Sequence, residues 1–428
     1  MLKKYLDNFL INFTIVIVLC SVIIFPQLKL IGLYFTGLDY LFYLVFLITF
    51  LLKGKINYEK KVMTLLCLIL VIGLFSLIRS NYIKNYFLSI LGFLIILLPF
   101  ITYILFYNIN ITKENLLKVF KQIQIILLVV SLSALVNFAL GRINEYGSPY
   151  TITKDIGFAA TLCNINIIIS LTLYNYKKSK KHIYIIVMSF LAILIISALK
   201  SLIMSLAIML YYLYSKDLNK YIKQATYIFA ISFFSLIIFS NDFIQKKIET
   251  YVFLYVTSDN SLEIARTASY FASVNIATDH FPLGSGPGTF GSYPVLITYN
   301  DLYYDYNLSH VWGMSEENIK DPDLPTFILD TYWPSPLAEI GVIGVLLLLM
   351  LYFHPLIKIK RLIKSSNAKD LELFKSLKFF IFSTALVLFV ENFSLSSLSQ
   401  TSVIILYFGL SGLIINFKEK QNENITYK

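Results

Sequence analysis

The 428-residue sequence predicts an all-helical integral membrane protein of about twelve transmembrane helices, with one large extracytoplasmic loop between helices nine and ten. Three observations predict it. Hydrophobic residues make up 57% of the chain and charged residues 14%, and the mean hydropathy of +0.71 lies far outside the soluble globular range. Apolar windows of about 17 to 22 residues, enough to cross roughly 30 Å of hydrocarbon, recur along the chain. Lys and Arg gather in alternate loops, as they do on the cytoplasmic side of membrane proteins.

The apolar segments begin near Phe9, Leu38, Val62, Tyr86, Val119, Gly157, Ile183, Ser201, Ala225, Leu337, Leu377 and Leu398. The first follows Met-Leu-Lys-Lys but has no small-residue cleavage site, so it reads as an uncleaved span rather than a signal peptide. With the N-terminus inside, the even-numbered loops should be basic. Lys53, Lys55, Lys60 and Lys61 follow the second segment, Lys177, Lys178, Lys180 and Lys181 the sixth, and the stretch from Lys358 to Lys378 the tenth. The odd-numbered loops, including the long one, then face outward, and both termini are cytoplasmic. The expected layout is helices one to nine over 1–240, an extracytoplasmic loop over 241–336, helices ten to twelve over 337–417, and a cytoplasmic tail over 418–428.

Between Asn241 and Pro334 the loop carries twelve acidic residues against four basic ones. The net charge of +11 therefore belongs to the cytoplasmic loops, and nucleic acid is not an expected partner. Cys20, Cys67 and Cys163 all fall in apolar segments, without metal-ligand spacing, and read as packing residues. No metal or other cofactor is expected.

The stretch from Ile183 to Tyr214 is interrupted by a single charge, Lys200, and both its ends adjoin Lys-rich segments. Equal sidedness demands two crossings. Two helices sharing it would each reach only about 24 Å at 1.5 Å per residue, so the hairpin tip with Lys200, Ser197 and Ser201 should sit below the outer surface. An ammonium at that depth needs an anion or a watery cavity; the plain alternative is a lysine snorkelling to the headgroups.

The segment ISALKSLIMSLAIMLYYLY resembles a helix junction of the O-antigen ligase and polymerase superfamily, with Lys200 where that family usually has Arg. Arg266, followed by PLGSGPGTF from Pro282 to Phe290, is similar in order and spacing to the family's extracytoplasmic Arg and Pro-Leu-Gly-x-Gly-x-Gly element. The ligase signature places a His eleven positions before a Gly-x-x-Gly that opens the next span. Here Gly341 to Gly344 fits, but Asp330 occupies the His position, which favours a polymerase. The resemblance covers the chain from Gly157 onward and the twelve-span topology with its loop, and it implies a GT-C-like membrane fold.

What the resemblance implies is transfer of a glycan from undecaprenyl diphosphate to a hydroxyl of a lipid-linked repeat unit, outside the bacterial cytoplasmic membrane. Such a polymerase builds a surface polysaccharide such as O-antigen or capsule, with a chain-length regulator as a candidate partner. The departing diphosphate needs cations and aimed N–H donors. Lys200 and Arg266 are the expected cradle, with Lys200→Arg expected to be tolerated. Asp330 is the first candidate to orient or deprotonate the acceptor hydroxyl, with Glu339 and His310 behind it.

Gly284, Gly286 and Gly288 offer an anion nest, or simply a tight turn. Trp333 offers a face for sugar stacking, and Arg142 and Lys154 a contact from the loop before the sixth segment. Each has a duller reading: a surface ion pair for Arg266 with Glu263, a helix cap for Asp330, a buried structural acid for Glu339, a solvated side chain for His310. An O-antigen ligase is the alternative within the same chemistry. A multi-span transporter or lipid-linked oligosaccharide flippase is the alternative class, and the chain shows none of the matched halves usual in carriers.

Overall fold

The computed structural model describes residues 2–24, 26–27, 38–53, 57, 59–144, 148–153, 155–196, 198–215, 264–321, 324–363 and 368–426. Its frame is helical: α1 (Leu2–Leu19, continued by a π turn to Ile24), α2 (Leu38–Lys53), α3 (Lys60–Arg79), α4 (Tyr86–Tyr107), α5 (Lys113–Ala139) and α6 (Ile156–Lys177) come first. Then follow α7 (Lys180–Ile196), α8 (Leu199–Tyr214), α9 (Ala265–Asp279), α10 (Pro334–Ile363), α11 (Ala368–Glu391) and α12 (Thr401–Thr426, with a π bulge over Ile405–Gly409). Among the described residues the one β feature is an isolated bridge between Ile143 and Pro149.

Eight of these, α1, α3, α4, α5, α6, α10, α11 and α12, are long and apolar enough to cross a membrane. They coincide with eight of the apolar segments read from the sequence. The second, seventh and eighth segments form shorter helices of 16, 17 and 16 residues. The ninth, near Ala225, lies outside the described residues, as do Lys154, Ser197, Glu263 and the first part of the long loop.

Helix starts follow local chemistry. Asn85 caps α4 by accepting from the Leu88 N–H, Thr112 caps α5 through Asn115, and Asp155 caps α6 through Phe158. The helix α6 turns into α7 through Lys178 in the left-handed conformation, φ 51°. Asn166 on α6 donates to Ser189 on α7 at 2.9 Å, and Gln124 on α5 bridges Ser170 and His182. Buried on nearly every side, α6 is held by such side-chain hydrogen bonds as well as by packing.

The helix α8 returns alongside α6. Asn164 donates to the Ser201 carbonyl, Ser205 donates to Asn164, and at the other end Tyr212 donates to Asn175. The α7–α8 pair is therefore a hairpin with its tip at Ala198, and its arms of about 25 and 24 Å are short for a roughly 30 Å core.

At the end of the bundle opposite that tip, Glu59 ties four helices together. Its carboxylate meets His354 Nε2 and Lys358 Nζ of α10, each at 2.9 Å, and accepts from the Tyr103 hydroxyl of α4. Lys358 also reaches Glu419 of α12 at 2.6 Å, and Tyr107 donates to the same Glu419.

The described part of the long loop has a core of its own, with Ala268, Ala272 and Ile276 of α9 packed against Phe290, Leu302, Tyr303, Val311 and Ile328. It is pinned to the α3–α4 turn, where Lys84 meets Asp301 at 2.7 Å, Asn300 donates to the Tyr82 carbonyl, and Tyr82 donates to Asp305.

Candidate functional site

Where the hairpin tip, the start of α9 and the end of α11 meet, a cavity of about 710 Å³ opens. Lys200, Arg266 and Asp330, the three residues the sequence nominated for chemistry, all line it, together with Glu391, Asp155 and Tyr270. They arrive from separate stretches: Lys200 on the first turn of α8, Arg266 on the first turn of α9, Asp330 on the turn before α10, and Glu391 at the last residue of α11.

Lys200 is held by an anion from the protein itself. Its Nζ lies 2.6 Å from Glu391 Oε2, donates to the Glu391 carbonyl at 2.9 Å, and donates to the Ser394 hydroxyl. The other Glu391 oxygen accepts from Ser201 Oγ at 2.6 Å. The Glu391 side chain has no exposed surface, whereas Lys200 keeps 31% of its own and faces the cavity. The snorkelling alternative is thus replaced by an ion pair with a buried carboxylate, and the ammonium donates two further hydrogen bonds. The anion that an ammonium at this depth calls for is Glu391.

The Arg266 Nε meets Asp330 Oδ2 at 2.5 Å, and the two side chains keep 35% and 26% of their surface. This pair also decides the cap question. Helix α10 begins at Pro334, so Asp330 does not cap it and instead ties the loop's last turn to α9. Tyr270, one helical turn after Arg266, donates to the Phe393 carbonyl at 2.9 Å and closes another side of the cavity. Burial pushes its phenol well above the ordinary range, with the Arg266 charge opposing, so it stays a donor.

The glycine element has a different task from the anion nest considered above. Ser285 and Gly286 donate their N–H groups to the carbonyls of Ala338 and Glu339 at 2.8 and 3.0 Å. Glu339 is fully buried, and its Oε1 accepts from the Phe290 N–H at 3.1 Å and from the Ser292 hydroxyl. The Glu339 side chain is therefore what this turn receives, and neither Glu339 nor Gly284, Gly286 and Gly288 lines the cavity.

Gly284 and Gly341 make this docking sterically feasible. Both have positive φ, 75° and 67°, and a Cβ on Gly284 would stand 2.5 Å from the Ala338 oxygen, while one on Gly341 would stand 2.5 Å from the Pro282 oxygen. Backbone meets backbone there, and α10 is kinked at Gly341 for that purpose.

The remaining nominated residues lie elsewhere. Trp333 is packed among Tyr332, Tyr352, Phe389 and Phe393, and its indole N–H donates to the Phe389 carbonyl, so its ring serves the bundle rather than a sugar. His310 and Arg142 are exposed and do not line the cavity. What the sequence reading passed over is Glu391, whose signal was an acid at the very end of an apolar segment, and Asp155, visible only as a helix cap.

Chemically, the cavity offers two cations and three carboxylates at the edge of an apolar bundle, with two ion pairs already formed. Such a site can exchange partners: an incoming anion can take a cation from its carboxylate and leave that carboxylate ready to accept a proton. Compared with known proteins, the chain matches no family model and no curated sequence.

Proposed function

We propose that the chain is a membrane glycosyltransferase that polymerises a bacterial surface polysaccharide, O-antigen or capsule, using glycan linked to undecaprenyl diphosphate. The observation that carries the reading is the meeting of Lys200, Arg266 and Asp330 in one cavity, from positions far apart in the chain. Their pairing suggests how the work is divided.

An incoming diphosphate draws the Arg266 guanidinium away from Asp330, and planar guanidinium suits phosphate oxygens well. Asp330 is thereby left to accept the proton of the acceptor hydroxyl. The anomeric C–O bond to the phosphate breaks, the new C–O bond to the acceptor forms, and the diphosphate departs with the bonding pair, its charge met by Arg266. Lys200 exchanges the Ser394 hydroxyl for a phosphate oxygen while Glu391 remains its counter-ion. In this reading the protein sits in the cytoplasmic membrane with its termini inside, and a chain-length regulator is a candidate partner.

Arg266→Ala and Lys200→Ala, expressed in the native host, are the test. Long-chain glycan should disappear while the protein stays in the membrane fraction, leaving a single repeat on the surface acceptor. Normal long-chain glycan from Arg266→Ala would remove the assignment, and polymer stranded on the lipid carrier would mark a ligase instead.

A further inference from the structure

Away from the cavity, at the end of the bundle where α6 turns into α7, lysines from three helices converge. Gln124 of α5 is hydrogen-bonded to Ser170 of α6 and to His182 of α7, which brings Lys121, three residues before Gln124, Lys177, two turns beyond Ser170, and Lys181, next to His182, to the same end of the bundle. Two ammonium groups cannot satisfy one another, and among the described residues none of these three lysines has a carboxylate partner. On α11, Glu372 is turned to Lys178 at 4.0 Å. Beneath them Gln124, Ser170 and His182 form a hydrogen-bonded polar floor, so the charges cannot sink into the bundle.

The surface leading away from this cluster is apolar on both flanking helices. On α5, Ile125, Val129, Leu132 and Val136 are exposed and continue the stripe that begins at Lys118 and Lys121. On α7, Tyr184, Val187 and Leu191 are exposed at the same helical spacing from Lys180. Cations at the base with hydrocarbon above match the chemistry of a lipid whose headgroup is negative, and basic pockets between membrane helices bind such headgroups.

We infer that Lys121, Lys177 and Lys181 form a site for an acidic phospholipid, its phosphate diester between the three ammonium groups and its acyl chains along the exposed stripes of α5 and α7. The site does not depend on the glycosyl-transfer reading. A phosphate shared by the three lysines turns their mutual repulsion into attraction for one ligand.

Native mass spectrometry of the purified full chain, titrated with tetraoleoyl cardiolipin or with dioleoylphosphatidylcholine, tests it. Cardiolipin should bind in preference, and K121Q/K177Q/K181Q should weaken it on the order of 100-fold, taking about a factor of five per lysine. A control, K60Q/K61Q/K375Q, removes equal charge from the same end of the bundle and should change binding less than about 3-fold. Equal losses in both triples would overturn the site, since the attraction would then be that of any basic surface. Displacement of cardiolipin by inorganic phosphate at millimolar concentration would also overturn it, in favour of a free-anion site. Should the glutamine triple not run as a monodisperse peak, the three single variants make the same comparison, each expected to lose several-fold, with K121R/K177R/K181R keeping wild-type binding.

Discussion

Glu391 has no exposed surface, and its charge is met by Lys200 and the Ser201 hydroxyl. Removing one member of such a pair strands the other, so Glu391→Ala should lower unfolding stability in detergent by about 3–5 kcal/mol. The apolar double variant Lys200→Met/Glu391→Leu should recover much of that loss, and an additive result would show that the pair is not coupled. Lys200→Arg, which the sequence alone suggests is harmless, should fail: three acceptors converge on a compact ammonium, and a planar fork cannot address them in the same way. At the other pair both side chains are partly solvated, so a double-mutant cycle of Arg266→Ala and Asp330→Ala should give a stability coupling of only about 1 kcal/mol or less. Polymer yield in the same variants should fall more than about 100-fold if the residues act on substrate. Parallel, modest losses in stability and activity would reduce the pair to a strut.

Helix α10 and the glycine turn behave as one element. Gly341→Ala should cut the yield of folded protein sharply, since its Cβ would collide with the Pro282 carbonyl, whereas Gly141→Ala, open on its surface, should cost little beyond the strain of its positive φ. Glu339→Ala should expose the loop to limited proteolysis within 264–333 while Glu339→Gln, still able to accept from Phe290, should not. Resistance of Glu339→Ala would show that the turn docks without its carboxylate. The apolar segments were legible because length and hydropathy dictate them, and Lys200 because it is the single charge in its apolar stretch, whereas Arg266 and Asp330 stood out only through the motif order and spacing of the resemblance. The use of the glycines was not legible: a glycine turn looks the same in sequence whether it takes up a ligand or the side chain of Glu339, which lies some fifty residues further on. The pairing of Glu391 was not legible for a related reason, since an acid at the end of an apolar segment has no local partner and Lys200 is 191 residues away.

Across the whole molecule, the cluster around Glu59 decides whether the ends of α3, α4, α10 and α12 stay together. Burial pushes the Glu59 carboxyl up, but hydrogen bonds and charge from His354 and Lys358 outweigh it and hold it at about 2, against an ordinary 4.5. A carboxyl held low in the folded state contributes stability that is complete above about pH 4.5 and is lost as the pH falls toward 2. Thermal melting of the detergent-solubilised protein should therefore drop over that window, and drop less in Glu59→Gln. Equal slopes would place the acid sensitivity elsewhere.

The same scale shows what the enclosure of α6 means for assembly. A segment that carries Asn164, Asn166, Ser170 and Asn175 into the interior has no stable home alone in lipid, where each amide would go unanswered. It finds its partners only when α7 and α8 follow with their hydroxyls, so that these three helices settle as one late, collective event and a ribosome stalled before Tyr214 would leave the chain without its central post.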